Sequence, residues 1–233
     1  LVDSGLKTRS VNRKISTLKS FFRFLTKRGF IEKNPSLQVH VLKTSKPIPD
    51  FIRPEETLNM LDSQLFDEGF EGTRDLLILE LFYGTGIRLS ELIGLKASDV
   101  DFNKGHIRVL GKRSKERLVP VTDYLASLIK SYLDMKFTQF GSNAAEALIV
   151  NNSGRSAYPM MVYRIVHKHL QNYTHADKKS PHVLRHTYAT HMLDRGADLT
   201  SVKELLGHQS LAATQVYTHN SLDKLKKVFD RAH

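Results

Sequence analysis

A guanidinium and two imidazoles share one face of a predicted helix late in the chain. The segment HVLRHTYATHML follows Ser180-Pro181, and at about 100° per residue it places His182, Arg185 and His186 on one side. The opposite side carries side chains typical of a core, namely Leu184, Tyr188 and Met192. A polar face near a helix N-terminus suits a phosphate, because the free N–H groups and the helix dipole attract anions. The same pattern is also typical of a surface helix with unrelated polar residues.

The histidines of this segment raise the alternative of a zinc site. His191 lies close to His182 and His186 in sequence, but helical periodicity points it away from both. The chain has no HExxH motif and no cysteine. We therefore expect no metal and no other cofactor. Metal analysis of the purified chain tests the zinc hydrolase alternative.

Two further segments carry groups that suit phosphoryl chemistry. In LLGHQSLAATQVYTH, a glycine ends one helix, His208 occupies the turn, and a short helix delivers Tyr217. In GTGIRLSEL, Arg88 opens a helix after a glycine turn, and Glu91 is placed to hold its guanidinium through an i, i+3 contact. Taken singly these patterns are weak, since a helical tyrosine is usually core and an exposed ion pair contributes little.

A β-hairpin with a basic tip is predicted over residues 106–121. The runs HIRVL and ERLVPV are rich in β-branched residues and flank the tip, GKRSK, which contains Lys112 and Lys115. Leu148–Val150 is expected to add a third short strand.

Four segments in this order resemble the tyrosine recombinase family, which includes the phage integrases and the Xer-type recombinases. They are TGIRLSELIGL, LGKRSKERLVPV, HVLRHTYATHML and LLGHQSLAATQVYTHN, and they extend over nearly all of the chain after residue 50. Four ordered motifs rarely coincide, so the combination is far more specific than any single motif. The resemblance implies an enzyme that cleaves and rejoins DNA strands through a 3′-phosphotyrosyl intermediate.

The resemblance also implies roles for particular residues. Tyr217 would be the nucleophile, and Arg88 and Arg185 would bind the scissile phosphate. His186 matches the second histidine of the family's HxLRH motif and is implied to be structural.

The remaining implied roles concern proton transfer. Lys112 would be the general acid for the leaving 5′-oxygen, and His182 and His208 would be further phosphate ligands and proton handlers. Arg113 stands where the family often has glycine, which leaves Lys115 as an alternative acid.

The chemistry of these residue types agrees with that assignment. A phenol with a pKa near 10 is a poor nucleophile at neutral pH and needs help. Two guanidiniums can stabilise the charge that develops on a pentavalent phosphorus, so no metal is required. The phosphotyrosyl ester conserves the bond energy, so no ATP is needed.

Charge and composition favour a polyanionic partner inside a reducing compartment. The chain of 233 residues has a formal net charge of +11, no cysteine and no apolar run long enough to cross a bilayer. We expect a cytoplasmic, nucleoid-associated protein that binds double-stranded DNA. The resemblance implies a tetramer on two DNA sites, formed by this chain alone or with a related recombinase.

The predicted fold is mainly α with a small antiparallel β-sheet, the tyrosine recombinase catalytic fold. Residues 1–43 are expected to be the end of a helical, SAM-like DNA-binding domain, 44–50 a linker and 51–233 the catalytic domain. Because the chain starts at Leu1, we expect it to be a fragment. Helices are predicted near 9–28, 73–82, 122–136, 159–173, 182–194, 200–206 and 221–231, with Pro54 starting another. The last helix could pack on its own subunit or on a neighbouring subunit.

Two other functions use the same basic surface. A type IB-like topoisomerase would share the phosphotyrosine chemistry without joining two DNA sites, and relaxation of supercoiled plasmid by the monomer would identify it. A non-catalytic DNA-binding protein is disfavoured by the joint presence of Arg88, Lys112, Arg185, His208 and Tyr217.

Overall fold

The computed structural model describes residues 5–43, 51–111 and 115–207 of the chain. Its contacts divide the chain into two units, Leu1–Ile48 and Pro49–His233. Lys112, His208, Tyr217 and the predicted helix 221–231 lie outside the described residues. Within those residues, no helix combines the length and the apolar character that a membrane span requires.

The first unit is built on one amphipathic helix, α1 (Thr8–Lys27). Val11 and Ile15 are its buried residues, and the predicted bounds of 9–28 were right to within one residue. The Asn12 side chain accepts from the backbone N–H of Leu42 and donates to its carbonyl, both at 2.8 Å. This pair of bonds ties the returning segment to the helix.

The second unit is mainly helical with one small sheet, as predicted. Its helices are α2 (Pro54–Met60), α3 (Phe70–Thr85), α4 (Leu89–Gly94), α5 (Asp123–Phe140), α6 (Pro159–Tyr173), α7 (Pro181–Asp194) and α8 (Leu199–Leu205). Its strands are β1 (Val100–Asp101), β2 (His106–Leu110) and β3 (Glu116–Pro120), antiparallel in that order. The hairpin prediction is confirmed, with Ile107 opposite Val119 and Leu110 opposite Glu116.

Helix α3 forms the centre of the core and packs against α5 and α7. Leu77, Ile78, Leu79 and Leu81 are fully buried, as expected of a helix that is surrounded by other elements. The predicted start at Thr73 was wrong, because the helix begins at Phe70 after Gly69. Gly69 has a φ of 95°, a backbone conformation that glycine adopts without strain and that makes the turn into the helix.

The strand that joins the hairpin in the sheet is β1 (Val100–Asp101). The prediction of a third strand at Leu148–Val150 was wrong. That run is buried, but its backbone bonds to other elements instead of a ladder. The Leu148 N–H donates to the Leu95 carbonyl at 2.7 Å, and the Val150 N–H donates to the Tyr132 hydroxyl at 3.1 Å. A short apolar run in the sequence predicts a buried segment, but burial alone does not specify a strand.

Glu80 of α3 carries a half-buried carboxyl group. Burial raises its pKa from the ordinary value of 4.5 to about 7. Folding therefore favours the protonated form. Below about pH 4.5 the group therefore does not lower the free energy of unfolding. Its destabilising effect grows as the pH rises from there and levels off above about pH 7.

We predict that Glu80→Gln stabilises the second unit more as the pH rises. Glutamine has a similar shape and never ionises, so the advantage should be small near pH 4.5 and reach about 1–3 kcal/mol at pH 8. Urea denaturation of both proteins between pH 4.5 and pH 8 measures the difference. A constant difference across that range would contradict a raised carboxyl pKa.

Candidate active site

Arg88 is set by the turn between α3 and α4. Helix α3 includes Gly84 and ends at Thr85. Gly86 follows in the left-handed conformation, with a φ of 60°. Arg88 is the N-cap residue of α4 and not part of its first turn. Its backbone N–H donates to Oε2 of Glu91 at 2.8 Å, and its Nη1 donates to Oε1 at 2.6 Å.

The Glu91 carboxylate is buried between two guanidiniums. Besides Arg88, it accepts both terminal nitrogens of Arg117, Nη1 at 3.0 Å and Nη2 at 2.8 Å. Burial alone would raise the pKa of Glu91, but the hydrogen bonds and charges of Arg117 and Arg88 lower it to about 2. The predicted contact of Arg88 with Glu91 is confirmed. The alternative of an exposed ion pair is wrong, because the Glu91 side chain is only 3% exposed.

Arg185 projects from α7 into the interior. Its Nη1 donates to the Gly86 carbonyl, and its Nη2 donates to the Leu206 carbonyl at 2.5 Å. The prediction that α7 presents Arg185 on an open polar face was therefore wrong. Arg185 is buried because its long side chain reaches the turn after α3. Burial, and next the nearby charge of Arg88, lower the pKa of Arg185 to about 10.

The other predicted residues of α7 are distributed as helical periodicity requires. His182 lies one turn before Arg185 with an exposed side chain, and His186 is half-buried. His191 points elsewhere, with Nδ1 at 3.2 Å from the Tyr83 hydroxyl and Nε2 at 3.0 Å from the Ile52 carbonyl. Among the described residues, no three histidine or carboxylate side chains come together as metal ligands.

The three arginines converge on the C-terminal end of α8. Three consecutive carbonyls each accept from a different guanidinium: Leu205 from Arg117 Nε at 2.8 Å, Leu206 from Arg185 Nη2 at 2.5 Å, and Gly207 from Arg88 Nη2 at 3.3 Å. A helix C-terminus carries partial negative charge, so this position attracts cations. His208, the next residue, lies outside the described part of the chain.

The cluster retains positive charge that an anion can reach. Of the three guanidiniums, those of Arg88 and Arg117 bind the Glu91 carboxylate, and the other acceptors of the cluster are neutral carbonyls. The Arg88 side chain is 29% exposed, so part of this charge faces solvent. Guanidiniums present fork-shaped donors that match phosphate oxygens. The arrangement suits binding of a phosphate and stabilisation of charge developing on it.

The described residues bring together only part of the predicted site. Arg88 and Arg185 meet at the end of α8, whereas Lys112, His208 and Tyr217 lie outside the described residues. The alternative acid, Lys115, is exposed where the hairpin tip joins β3, and its carbonyl accepts from the Gly111 N–H at 2.7 Å.

Arg117 was missed by sequence reasoning, although a signal for it exists. Side chains alternate across a strand, and Arg117 shares the inward face of β3 with the buried Val119. An arginine on an inward face requires a buried acceptor, because an unpaired charge there is costly. The alternation around LVPV could therefore have identified it.

Comparison with known proteins places this arrangement in a family. Residues 51–223 match the phage integrase family, and residues 1–29 match the phage integrase N-terminal SAM-like domain. The tyrosine recombinase XerC of Chlorobaculum tepidum is 39% identical over 253 residues, which include all of this chain and 75% of the relative. The tyrosine recombinase XerC of Oceanobacillus iheyensis is 41% identical over 236 residues, with coverage of 100% and 77%.

Solved structures have the same fold. The XerA recombinase has a TM-score of 0.61 at 26% identity, covering 97% of this chain and 78% of that one. The XerH site-specific recombinase, bound to palindromic difH substrate in a post-cleavage complex, has a TM-score of 0.73. Its identity is 24%, and the match covers 96% of this chain and 67% of XerH. At that identity the likeness to XerH shows the fold alone.

We predict that Gly86→Ala disrupts the turn that orients Arg88. A side chain there would adopt a strained positive φ of 60°, and its Cβ would lie 2.6 Å from the Tyr188 ring and 2.7 Å from Leu206. Strain and overpacking together should cost about 2–5 kcal/mol of unfolding free energy, measured by urea denaturation.

Gly196→Ala is the matched control for this substitution. Gly196 also has a positive φ, of 89°, but among the described residues, its chain neighbours aside, no atom lies within 4 Å of the position that an alanine methyl group would take there. Only the backbone strain of about 1–2 kcal/mol therefore applies. Equal losses in the two variants would show that close packing at Gly86 does not matter.

Proposed function

This chain belongs to the phage integrase family and is a tyrosine-type, XerC-like site-specific recombinase; we propose that Tyr217 is its nucleophile and that Arg88 and Arg185 bind the scissile phosphate. Lys112 is the proposed general acid, and His182 and His208 are the proposed further phosphate ligands. These assignments follow the four matching motifs, residue by residue.

One observation carries the proposal for the arginines. Arg88 and Arg185 are 97 positions apart in sequence, yet they donate to the neighbouring carbonyls of Gly207 and Leu206. Two cations held this close repel each other, and Glu91 and the carbonyls offset only part of that repulsion. A phosphodiester that replaced either carbonyl would supply negative charge and fork-shaped acceptors together.

The proposed reaction exchanges one phosphoester bond for another. The Tyr217 phenolic oxygen attacks the phosphorus, a bond from oxygen to phosphorus forms, and the bond to the 5′-oxygen breaks. Lys112 gives a proton to that oxygen, and an imidazole accepts the phenolic proton. A 5′-hydroxyl then reverses the attack on the 3′-phosphotyrosyl ester, so the enzyme needs no ATP.

The substrate that we propose is double-stranded DNA bound by more than one subunit. The solved XerH complex contains difH substrate, and lambda integrase was solved as a dimer on a COC′ core site. By analogy, two subunits of this chain would occupy each site, and two sites would join in a tetramer, with or without a related recombinase. The net charge of +11 supports such a partner and a place at the nucleoid.

We predict that Tyr217→Phe keeps DNA binding and loses covalent attachment. Phenylalanine preserves the ring and removes the oxygen that would attack phosphorus. A nicked DNA substrate that traps the covalent product, followed by denaturing gel electrophoresis, measures attachment. Persistence of the covalent product in Tyr217→Phe would identify a different nucleophile.

We predict that Arg185→Ala slows DNA cleavage by about 100- to 1,000-fold, because a fixed donor to the developing charge is lost. Single-turnover cleavage at a temperature where both proteins are folded measures the rate. Substitution of a neutral methylphosphonate at the scissile position separates charge from packing. The loss should shrink on this neutral substrate, and an equal loss on both substrates would indicate that Arg185 supports only the fold.

A further inference from the structure

Arg117 of strand β3 contacts three parts of the active site without facing solvent. Resting on the proposed function, we infer that Arg117 is a positioning residue: it holds Arg88, through Glu91, and the turn that precedes His208 in the geometry that cleavage requires. It does so without touching the DNA.

All three nitrogens of the Arg117 guanidinium donate to protein partners. Its side chain is 5% exposed, its two terminal nitrogens bind the Glu91 carboxylate side by side, and its Nε donates to the Leu205 carbonyl at 2.8 Å. These bonds use three of the five N–H groups of the guanidinium, and burial of the side chain keeps it from a phosphate at the surface. Its influence on the reaction must therefore pass through the groups that it holds.

The first of these groups is Glu91. Its Oε1 accepts from both Arg88 Nη1, at 2.6 Å, and Arg117 Nη1, at 3.0 Å. With Arg117 present, two guanidiniums share the single negative charge of the carboxylate. Glu91 can then orient Arg88 and still leave positive charge for an anion. Without Arg117, the whole carboxylate charge would act on Arg88 and compete with the phosphate for its guanidinium.

The second group is the backbone at the end of α8. Besides the bond to Leu205, the Arg117 side chain lies against Gly207, where an added Cβ would be 3.3 Å from Arg117 Cδ and Nη1. Gly207 has a φ of 62° and directly precedes His208. Arg117 thereby fixes the point from which the segment carrying His208 and Tyr217 departs.

The third connection runs along the hairpin. Arg117 lies on β3 opposite Val109 of β2, and these two strands flank the tip that contains Lys112. One buried side chain thus links the start of α4, the end of α8 and the hairpin. These are the segments to which the motifs assign a phosphate ligand, the nucleophile and the general acid.

Arg74 provides a matched control for a purely structural role. It is buried to the same degree, with a side chain 5% exposed, and it pairs with Asp75 at the same distance of 2.8 Å as Arg117 with Glu91. Its other partners are Asn152, Glu71 and the Phe70 ring, and none of them belongs to the proposed site. Arg74→Met and Arg117→Met each remove a buried arginine from a carboxylate, Asp75 in the first case and Glu91, which keeps its bonds to Arg88, in the second.

The experiment compares single-turnover cleavage of a nicked DNA substrate by the wild-type chain, Arg74→Met and Arg117→Met, well below the thermal midpoint of each. Arg117→Met should be slower by on the order of 100-fold, because small misplacements of reacting groups cost about that much. Arg74→Met should stay within about threefold, and DNA affinity should be similar in all three. Equal slowing by the two variants would reduce Arg117 to a stabilising residue.

A second readout tests the route through Arg88. In an Arg88→Ala background, Glu91 no longer has the Arg88 guanidinium to orient. Adding Arg117→Met there should therefore slow cleavage by a factor at least about tenfold smaller than in the wild type. The same cost in both backgrounds would overturn that route.

If Arg117→Met does not fold, Arg117→Lys decides the question. Lysine keeps the charge beside Glu91 but lacks the fork that also reaches Leu205, so cleavage should slow by on the order of tenfold. A wild-type rate would reject the positioning role. Absence of any covalent product in the wild-type chain would instead reject the proposed function, and the inference with it, so the two failures are distinguishable.

Discussion

The candidate site depends on the pairing of the buried Glu91 carboxylate with Arg88 and Arg117. Guanidiniums close enough to act on one anion repel each other, and burial makes that repulsion stronger. A single carboxylate and the last carbonyls of α8 offset part of it. The lowered pKa of Arg185, about 10, reflects burial and the charge that remains uncompensated. A site of this kind is stable without an anion and still favours one.

The same contacts explain why a mainly helical fold suits the reaction. Helix α3 is buried on nearly every side, so the turn at Gly86 that follows it is held firmly and can orient Arg88. Helix α7 packs on α3 and directs Arg185 at the same turn. Helix α8 then offers its C-terminal carbonyls to the guanidiniums, and the small sheet contributes Arg117. Residues far apart in sequence thereby reach one place.

Much of this organisation could be predicted from the sequence, because hydrophobic periodicity and local spacing are strong signals. The helices, the hairpin and the contact between Arg88 and Glu91 depend on neighbours within a few residues. The strand expected at Leu148–Val150 and the start expected at Thr73 failed, since burial and glycine geometry overrode local preference. The burial of Arg185 and the role of Arg117 depend on contacts between distant segments, which local spacing does not encode.

The most direct measurement is the structure of this chain trapped covalently on a nicked DNA site. The phosphorus should be joined to Tyr217, and Arg88 and Arg185 should each have a nitrogen within about 3.5 Å of a non-bridging oxygen of that phosphate. Arg117 should remain bound to Glu91, away from the DNA. A covalent phosphate attached elsewhere, or one that neither guanidinium reaches, would contradict the central claim that these arginines form a phosphate-binding pair.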